Sequence, residues 1–135
     1  MVSNPFYKIV RKLSMSQVKT SNLKIYHNPR CSKSRQTLAL IQEHGIEPEI
    51  INYLETPPSI DELTTVLSLL NLEPQALMRK RETEYKESGL DNLSLSNDEQ
   101  VKLMIKFPKV IERPIVLANG KATIGRPPES VLEIL

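Results

Sequence analysis

The sequence predicts an α/β domain with a mixed four-stranded sheet, in the chain order β-α-β, helical block, β-β-α. Three observations predict this fold class. Two strand-type segments flank a helical pattern within residues 23–54, helical patterns fill residues 58–107, and two more strands surround Asn119-Gly120. A strand, helix and strand joined by short links call for a right-handed crossover and parallel pairing. Asn-Gly between two strands predicts an antiparallel hairpin.

The first half of the sheet follows from hydrophobic periodicity. Apolar and polar residues alternate over residues 23–26, which indicates a strand, and residues 34–44 follow a helical pattern. Gly45 is placed to end this helix in the left-handed conformation. A second strand is expected over residues 49–54, before Pro57-Pro58 breaks the chain.

The helical block begins with a capping signal and contains a second one. In each, a serine is followed three residues later by a glutamate, at Ser59 and Glu62 and again at Ser96 and Glu99. We expect helices at about residues 60–71, 73–80 and 96–107.

The last third of the chain returns to strand patterns. Strands are expected at residues 114–117 and 122–124, and a terminal helix at residues 129–135. Pro114 cannot donate to a sheet ladder, so it implies a sheet edge, a strand end or a cis bond.

The length of 135 residues suits one domain, which we assign to residues 23–135 after a poorly ordered leader at residues 1–22. The first twenty residues include four basic and no acidic residues, which gives this segment a charge of +4. Because the whole chain has a net charge of +2, the remaining residues carry −2. This mildly acidic body argues against nucleic-acid binding. The leader lacks the continuous apolar stretch of a secretory signal, and Met15 is a candidate translation start. No apolar run reaches the ~18 residues expected of a membrane span.

The single cysteine, Cys31, lies between the first strand and the first helix. It cannot form an intramolecular disulfide, so a reducing cytoplasm is the expected compartment. A helix N-terminus favours the thiolate, as do the nearby cations Arg30, Lys33 and Arg35. The alternative is a small buried hydrophobe. Polar and basic neighbours disfavour that alternative, and they make Cys31 a candidate nucleophile.

A basic cluster at residues 79–81 has two interpretations. It is either a solvated charged face or an anion contact that reaches back toward Cys31. Periodicity alone does not separate them. No metal site and no tightly bound cofactor is predicted.

Five motifs, in order along residues 23–135, together resemble the glutathione- and glutaredoxin-coupled arsenate reductase family, which has a thioredoxin-like fold with a helical insert. The motifs are His27-Asn28-Pro29-Arg30-Cys31 with Ser34-Arg35, Tyr53-Leu54-Glu55-Thr56-Pro57-Pro58, Leu77-Met78-Arg79-Lys80, Glu112-Arg113-Pro114-Ile115-Val116 and Gly125-Arg126-Pro127-Pro128-Glu129.

The resemblance implies a role for individual residues. Cys31 matches the family's nucleophile, and three arginines match its oxyanion-binding residues: Arg79, Arg113 and Arg126. Guanidinium groups suit this task because they give charge-assisted, directional hydrogen bonds to oxyanions. For Arg79, the resemblance favours the anion contact over the solvated face.

Three further residues match positions beside the family's thiol. His27 and Ser34 match polar neighbours, and Pro114 matches the proline that is cis beside the thiol in this fold. The implied reaction begins when the Cys31 thiolate attacks arsenate. Glutathione as co-substrate and then glutaredoxin resolve the adduct, and arsenite is released.

Two alternatives stay open. One is a glutathione-dependent oxidoreductase of mixed disulfides, which has no need for three convergent arginines. The other is a redox regulator of the same fold that binds RNA polymerase. Such relatives carry a Cys-x-x-Cys pair, whereas the second position here is Ser34, so the disulfide switch is missing.

Overall fold

The structure, a computed structural model, describes residues 23–135. The predicted leader at residues 1–22, with Met15, lies outside the described residues. Over the described range, no helix combines the length and apolar character that a bilayer crossing needs.

In the described part of the chain, four strands form one mixed sheet in the spatial order β2-β1-β3-β4. Strand β1 (Lys24–His27) pairs in parallel with β2 (Glu49–Asn52) and antiparallel with β3 (Ile115–Ala118), which pairs antiparallel with β4 (Lys121–Ile124). The predicted α/β class and the predicted parallel and antiparallel pairs are confirmed.

Within residues 23–135, four α-helices and three short 3₁₀ segments connect and cover the strands. The α-helices are α1 (Ser32–Glu43), α2 (Ile60–Leu70), α3 (Thr83–Glu87) and α4 (Asn97–Lys106). The 3₁₀ segments are Pro74–Leu77, Pro108–Val110 and Pro128–Glu133.

Successive side chains of a strand point to opposite faces of a sheet, and this alternation divides the core in two. Ile25 and Val116 join the core shared with α1 and the last 3₁₀ segment, whereas Tyr26 and Ile115 join the larger core shared with the helical block. The sheet therefore lies between α1 on one side and the block of residues 58–107 on the other.

The local signals in the sequence produce the predicted element ends. Both capping boxes are present, with each serine hydroxyl accepting from the glutamate N–H at 3.1 Å and each glutamate accepting from the serine N–H at 2.8 Å. Gly45 adopts a φ of +78° just after α1. Asn119 and Gly120 have φ values of 54° and 73°, which suit a tight hairpin turn.

Three predicted elements differ from the structure. The helix expected at residues 73–80 is only a 3₁₀ turn, because Met78 turns extended and forms an antiparallel bridge with Ile111. The segment at residues 129–135 is 3₁₀ rather than α-helical, and the strand expected to reach residue 54 ends at Asn52. Helix α3 was not predicted, since it is only five residues long.

Candidate active site

Cys31 is the N-cap residue of α1, directly after the turn that follows β1. Its N–H donates to the Asn28 carbonyl at 3.0 Å, and its carbonyl accepts from the Arg35 N–H at 3.0 Å. The Arg35 guanidinium donates to the Pro29 carbonyl and ties the turn to the helix. The thiol is therefore held, partly exposed, at the helix end where backbone N–H groups lack partners in the helix.

The surroundings of Cys31 lower its pKa. Burial is the largest influence and raises the pKa, but the backbone N–H of Ser34, the charge and a side-chain N–H of Arg113, and the backbone N–H of Lys33 together outweigh it. Hydrogen bonds to the charged form and a nearby cation both favour the thiolate. These surroundings therefore favour the thiolate, which is the reactive form of a cysteine.

This lowered pKa predicts the pH dependence of thiol reactivity. The thiolate is the form that reacts, so alkylation of Cys31 by iodoacetamide is expected to reach its plateau at a lower pH in the folded protein than in denaturant. Rates measured across a pH series in both states provide the check. A midpoint that is equal or higher in the folded protein would contradict the arrangement described above.

His27 and Ser34 form a buried pair beside the thiol. His27 Nδ1 lies 2.6 Å from Ser34 Oγ, and the hydroxyl also accepts the Asn28 N–H at 3.0 Å. Burial, and then the charge of Arg35, lower the pKa of His27. A neutral imidazole with its proton on Nε2 lets Ser34 donate to Nδ1. The pair fixes the shape of the Cys31 turn.

Two of the three predicted arginines meet at Cys31. Arg126 Nη1 lies 4.0 Å from the sulfur, although the residues are 95 positions apart. The charge of Arg113 reaches the same sulfur. A carboxylate joins them, because Glu112 Oε1 accepts from Arg113 Nη1 and from the Arg113 backbone N–H, both at 3.1 Å, and lies 4.0 Å from Arg126 Nε. The Arg113–Pro114 bond that precedes β3 is cis, as is the Arg126–Pro127 bond.

Arg79 reaches this region by a different route. Its N–H donates to the Val110 carbonyl at 2.7 Å, in the same antiparallel bridge that joins Leu77 to Glu112. The bridge places residue 79 beside the segment that leads to Arg113. However, the Arg79 guanidinium pairs with Glu82 at 2.8 Å rather than with Cys31. The structure thus brings Arg79 near the site, but its guanidinium forms an ion pair with Glu82.

Tyr53 is a buried side chain in the Tyr53–Pro58 motif, and no role was predicted for it. It is 1% exposed, and its hydroxyl has no hydrogen-bond partner within residues 23–135. Burial raises its pKa to about 12, while the charges of Arg113 and Arg79 act downward and those of Cys31 and Glu112 upward. An unpaired buried hydroxyl costs about 1–3 kcal/mol. Because its pKa lies far above neutral pH, the phenol stays protonated and can donate a hydrogen bond.

The segment that carries Arg126 packs closely against α1 at Gly125. Buried Thr37 on α1 directs its hydroxyl to the Gly125 carbonyl at 3.3 Å as well as to the Lys33 carbonyl at 2.8 Å. A Cβ at position 125 would overlap the Thr37 hydroxyl and lie 2.9 Å from Pro114 Cγ. Glycine at this position permits the approach that places Arg126 next to Cys31.

We expect Gly125→Ala to destabilise the fold by about 2 kcal/mol, because the added methyl group overpacks a filled site. Denaturant unfolding of the two proteins measures the difference. Gly120→Ala is a useful comparison, since no atom lies within 4 Å of a Cβ there and its cost is limited to the left-handed backbone. Equal stability of Gly125→Ala and the unmodified protein would contradict the close packing.

Sequence reasoning missed four residues of this region, namely Tyr53, Glu112, Thr37 and Gly125. Tyr53, Glu112 and Gly125 lie within the quoted motifs, so the signal was present without an assigned role. Thr37 had no distinguishing signal, because a threonine inside an amphipathic helix is ordinary. Over residues 23–135, no group of three His, Cys, Asp or Glu side chains is arranged to hold a metal ion.

Comparison with known proteins identifies the family of the chain. The sequence pattern of the ArsC family matches residues 26–134, which is most of the chain. The chain belongs to the ArsC family. Both the candidate thiol and the three arginines lie inside the matched range.

Individual ArsC relatives are similar over nearly their whole length. An arsenate reductase of Neisseria meningitidis serogroup A is 48% identical over 114 residues, covering 84% of this chain and 97% of that protein. The Escherichia coli K12 protein YfgD, whose description is "uncharacterized", is 54% identical over 117 residues, with 86% and 98% covered. The solved structure of a Vibrio cholerae arsenate reductase superposes with a TM-score of 0.82 at 52% identity, covering 87% of this chain and 100% of that one. The fold is therefore that of the thioredoxin-like arsenate reductases.

Proposed function

We propose that this protein is an arsenate reductase in which Cys31 attacks arsenate and glutathione and glutaredoxin supply the remaining reducing steps. The observation that carries the proposal is the meeting of Cys31, Arg113 and Arg126 from three separate segments. Two relatives that carry the name arsenate reductase support the choice of substrate, one from Neisseria meningitidis at 48% sequence identity and one solved structure from Vibrio cholerae at 52%.

The arginines address the main electrostatic obstacle in the reaction. Arsenate resembles phosphate and is negatively charged at neutral pH, so its approach to a thiolate is unfavourable. Guanidinium groups offset this repulsion and donate directional hydrogen bonds to the oxygens. They also stabilise the negative charge on those oxygens during the displacement.

The first step is a displacement at arsenic without electron transfer. The Cys31 thiolate attacks arsenic(V), a sulfur–arsenic bond forms, and one oxygen takes up protons and leaves as water. Backbone N–H groups at the start of α1 favour the thiolate before the attack. The product of this step is a covalent arsenic(V) adduct on Cys31.

Reduction to arsenite needs two electrons, which two thiols supply when they form a disulfide. Overall, arsenate and two thiols give arsenite, one disulfide and water. The chain has one cysteine, and neither Ser32 nor Ser34 can replace a second thiol. Glutathione supplies the second sulfur, and glutaredoxin then reduces the mixed disulfide on Cys31. A glutathione-containing cytoplasm is the compartment that this scheme requires.

A coupled assay tests the proposal. Purified protein is mixed with glutathione, glutathione reductase, glutaredoxin and NADPH, and NADPH consumption is followed after arsenate is added. We expect consumption that depends on arsenate and on this protein, with arsenite as the product. NADPH consumption that depends on this protein, that a glutathionylated peptide supports when glutaredoxin is omitted, and that arsenate does not support in the full assay, would identify a mixed-disulfide oxidoreductase instead.

The regulatory alternative has a separate test. A redox regulator that binds RNA polymerase would be captured by immobilised polymerase to an extent that depends on redox state. With serine at position 34, Cys31 has no partner for an internal disulfide. We therefore expect no capture under reducing or oxidising conditions, whereas redox-dependent capture would favour the regulator.

A further inference from the structure

Two buried polar atoms lack hydrogen-bond partners in the part of the chain that the structure describes, the Tyr53 hydroxyl and Arg113 Nε. Native proteins pair nearly all such atoms, so each exception calls for an explanation. Arg113 belongs to the site. The pKa of Tyr53 is influenced by charged groups of the same region, namely Arg113, Arg79, Cys31 and Glu112. Both exceptions therefore belong to one region.

The unpaired atoms are donors. Arg113 already directs Nη1 to Glu112, while its Nε carries an N–H that no described acceptor takes. Tyr53 remains protonated at neutral pH and can donate one hydrogen bond. Two unpaired donors in the region of Cys31 suit a ligand that presents several acceptor oxygens.

The position of Tyr53 is fixed by the fold. It follows β2, the strand that pairs in parallel with β1, and β1 leads directly into the Cys31 turn. Parallel neighbouring strands end at the same edge of a sheet, so the residues after β1 and β2 lie side by side. Its ring packs in the larger core, which leaves the side chain little freedom to move.

We propose that Tyr53 is an additional oxyanion-binding residue, whose hydroxyl donates a hydrogen bond to an oxygen of the arsenate held between Cys31 and Arg113. This inference rests on the proposed function. It extends the site beyond Arg113 and Arg126 to a neutral donor, which adds a directional hydrogen bond without adding charge. The ligand class is a tetrahedral oxyanion.

The test compares Tyr53→Phe with the unmodified protein and with Tyr26→Phe. Tyr26 is a matched control because it is a buried tyrosine, at 4% exposure, whose pKa is also about 12, yet the charges acting on it are Glu62 and Glu49 rather than the groups of the site. Arsenate affinity is measured by protection of Cys31 from iodoacetamide, and melting temperature is measured without arsenate.

We expect Tyr53→Phe to weaken arsenate binding by about tenfold or more, as loss of a hydrogen bond to a charged acceptor does. Its melting temperature without arsenate should equal or exceed that of the unmodified protein, because the hydroxyl that is removed has no described partner. Tyr26→Phe should bind arsenate as the unmodified protein does.

Unchanged affinity in Tyr53→Phe would overturn the inference. So would a loss of affinity that is matched by Tyr26→Phe, or one accompanied by a lower melting temperature, since either result indicates a structural role. Absence of protection in the unmodified protein would instead refute the proposed function itself, so the two failures are distinguishable.

Discussion

Cys31→Ser is expected to lose arsenate reduction by at least about 1,000-fold, because a serine hydroxyl is not ionised at neutral pH and the chain has no second thiol. The measurement is arsenate-dependent NADPH consumption in the coupled assay. The substitution is nearly isosteric at a partly exposed position, so the melting temperature should change little.

In Cys31→Ser, the affinity for arsenate and the rate of reaction should change independently. The arginines remain in place, so Cys31→Ser is expected to retain affinity for arsenate while forming no covalent adduct. Ser32→Ala is a matched control on the same turn, and it should keep most of the activity. Full turnover in Cys31→Ser, together with loss of turnover in Arg113→Ala, would show that the nucleophile is assigned to the wrong residue.

Arg113→Ala is expected to lower kcat/KM for arsenate by about 100-fold or more, the size typical of losing one preorganised donor to a developing charge. The guanidinium also lowers the pKa of Cys31, so its removal should shift the alkylation midpoint to higher pH. The coupled assay and the alkylation series together measure both effects.

Two further variants separate the contributions of charge and geometry. Arg113→Lys retains the charge and loses the planar fork, so it should recover most of the thiol pKa shift and only part of the activity. Arg81→Ala removes an exposed arginine and should leave both quantities unchanged. An unaltered alkylation midpoint in Arg113→Ala would contradict the proximity of this guanidinium to the sulfur.

Local signals account for the parts of the structure that the sequence predicted well. The capping boxes at Ser59 and Ser96, the Asn119-Gly120 turn and the position of Cys31 before α1 depend on residues within a few positions of one another. Each is stabilised by contacts between residues close in sequence, which do not depend on how distant segments fold. That is why sequence alone was sufficient to place them.

The parts that sequence missed depend on distant partners. A helix was expected over residues 73–80, yet Met78 is extended because it bridges Ile111, more than thirty residues away. The same bridge determines where Arg79 lies. The contact of Gly125 with Thr37, and the influence of the Arg113 charge on Tyr53, likewise arise only when the chain is folded.

The family resemblance supplied what periodicity did not. Basic residues at positions 79, 113 and 126 are indistinguishable from surface charges by pattern alone. The structure brings Arg113 and Arg126 to Cys31, and it places the Arg79 guanidinium on Glu82. The role of each arginine in binding arsenate stays a prediction until the variants are measured.

The most direct test of the account is the rate of Cys31 alkylation at fixed pH with and without arsenate, in the unmodified protein and in Arg113→Ala. If the thiolate and the arginines form one oxyanion site, arsenate will slow alkylation in the unmodified protein and have much less effect in the variant. If arsenate leaves the rate unchanged in the unmodified protein, or slows both proteins equally, then Cys31 and Arg113 do not bind the anion together.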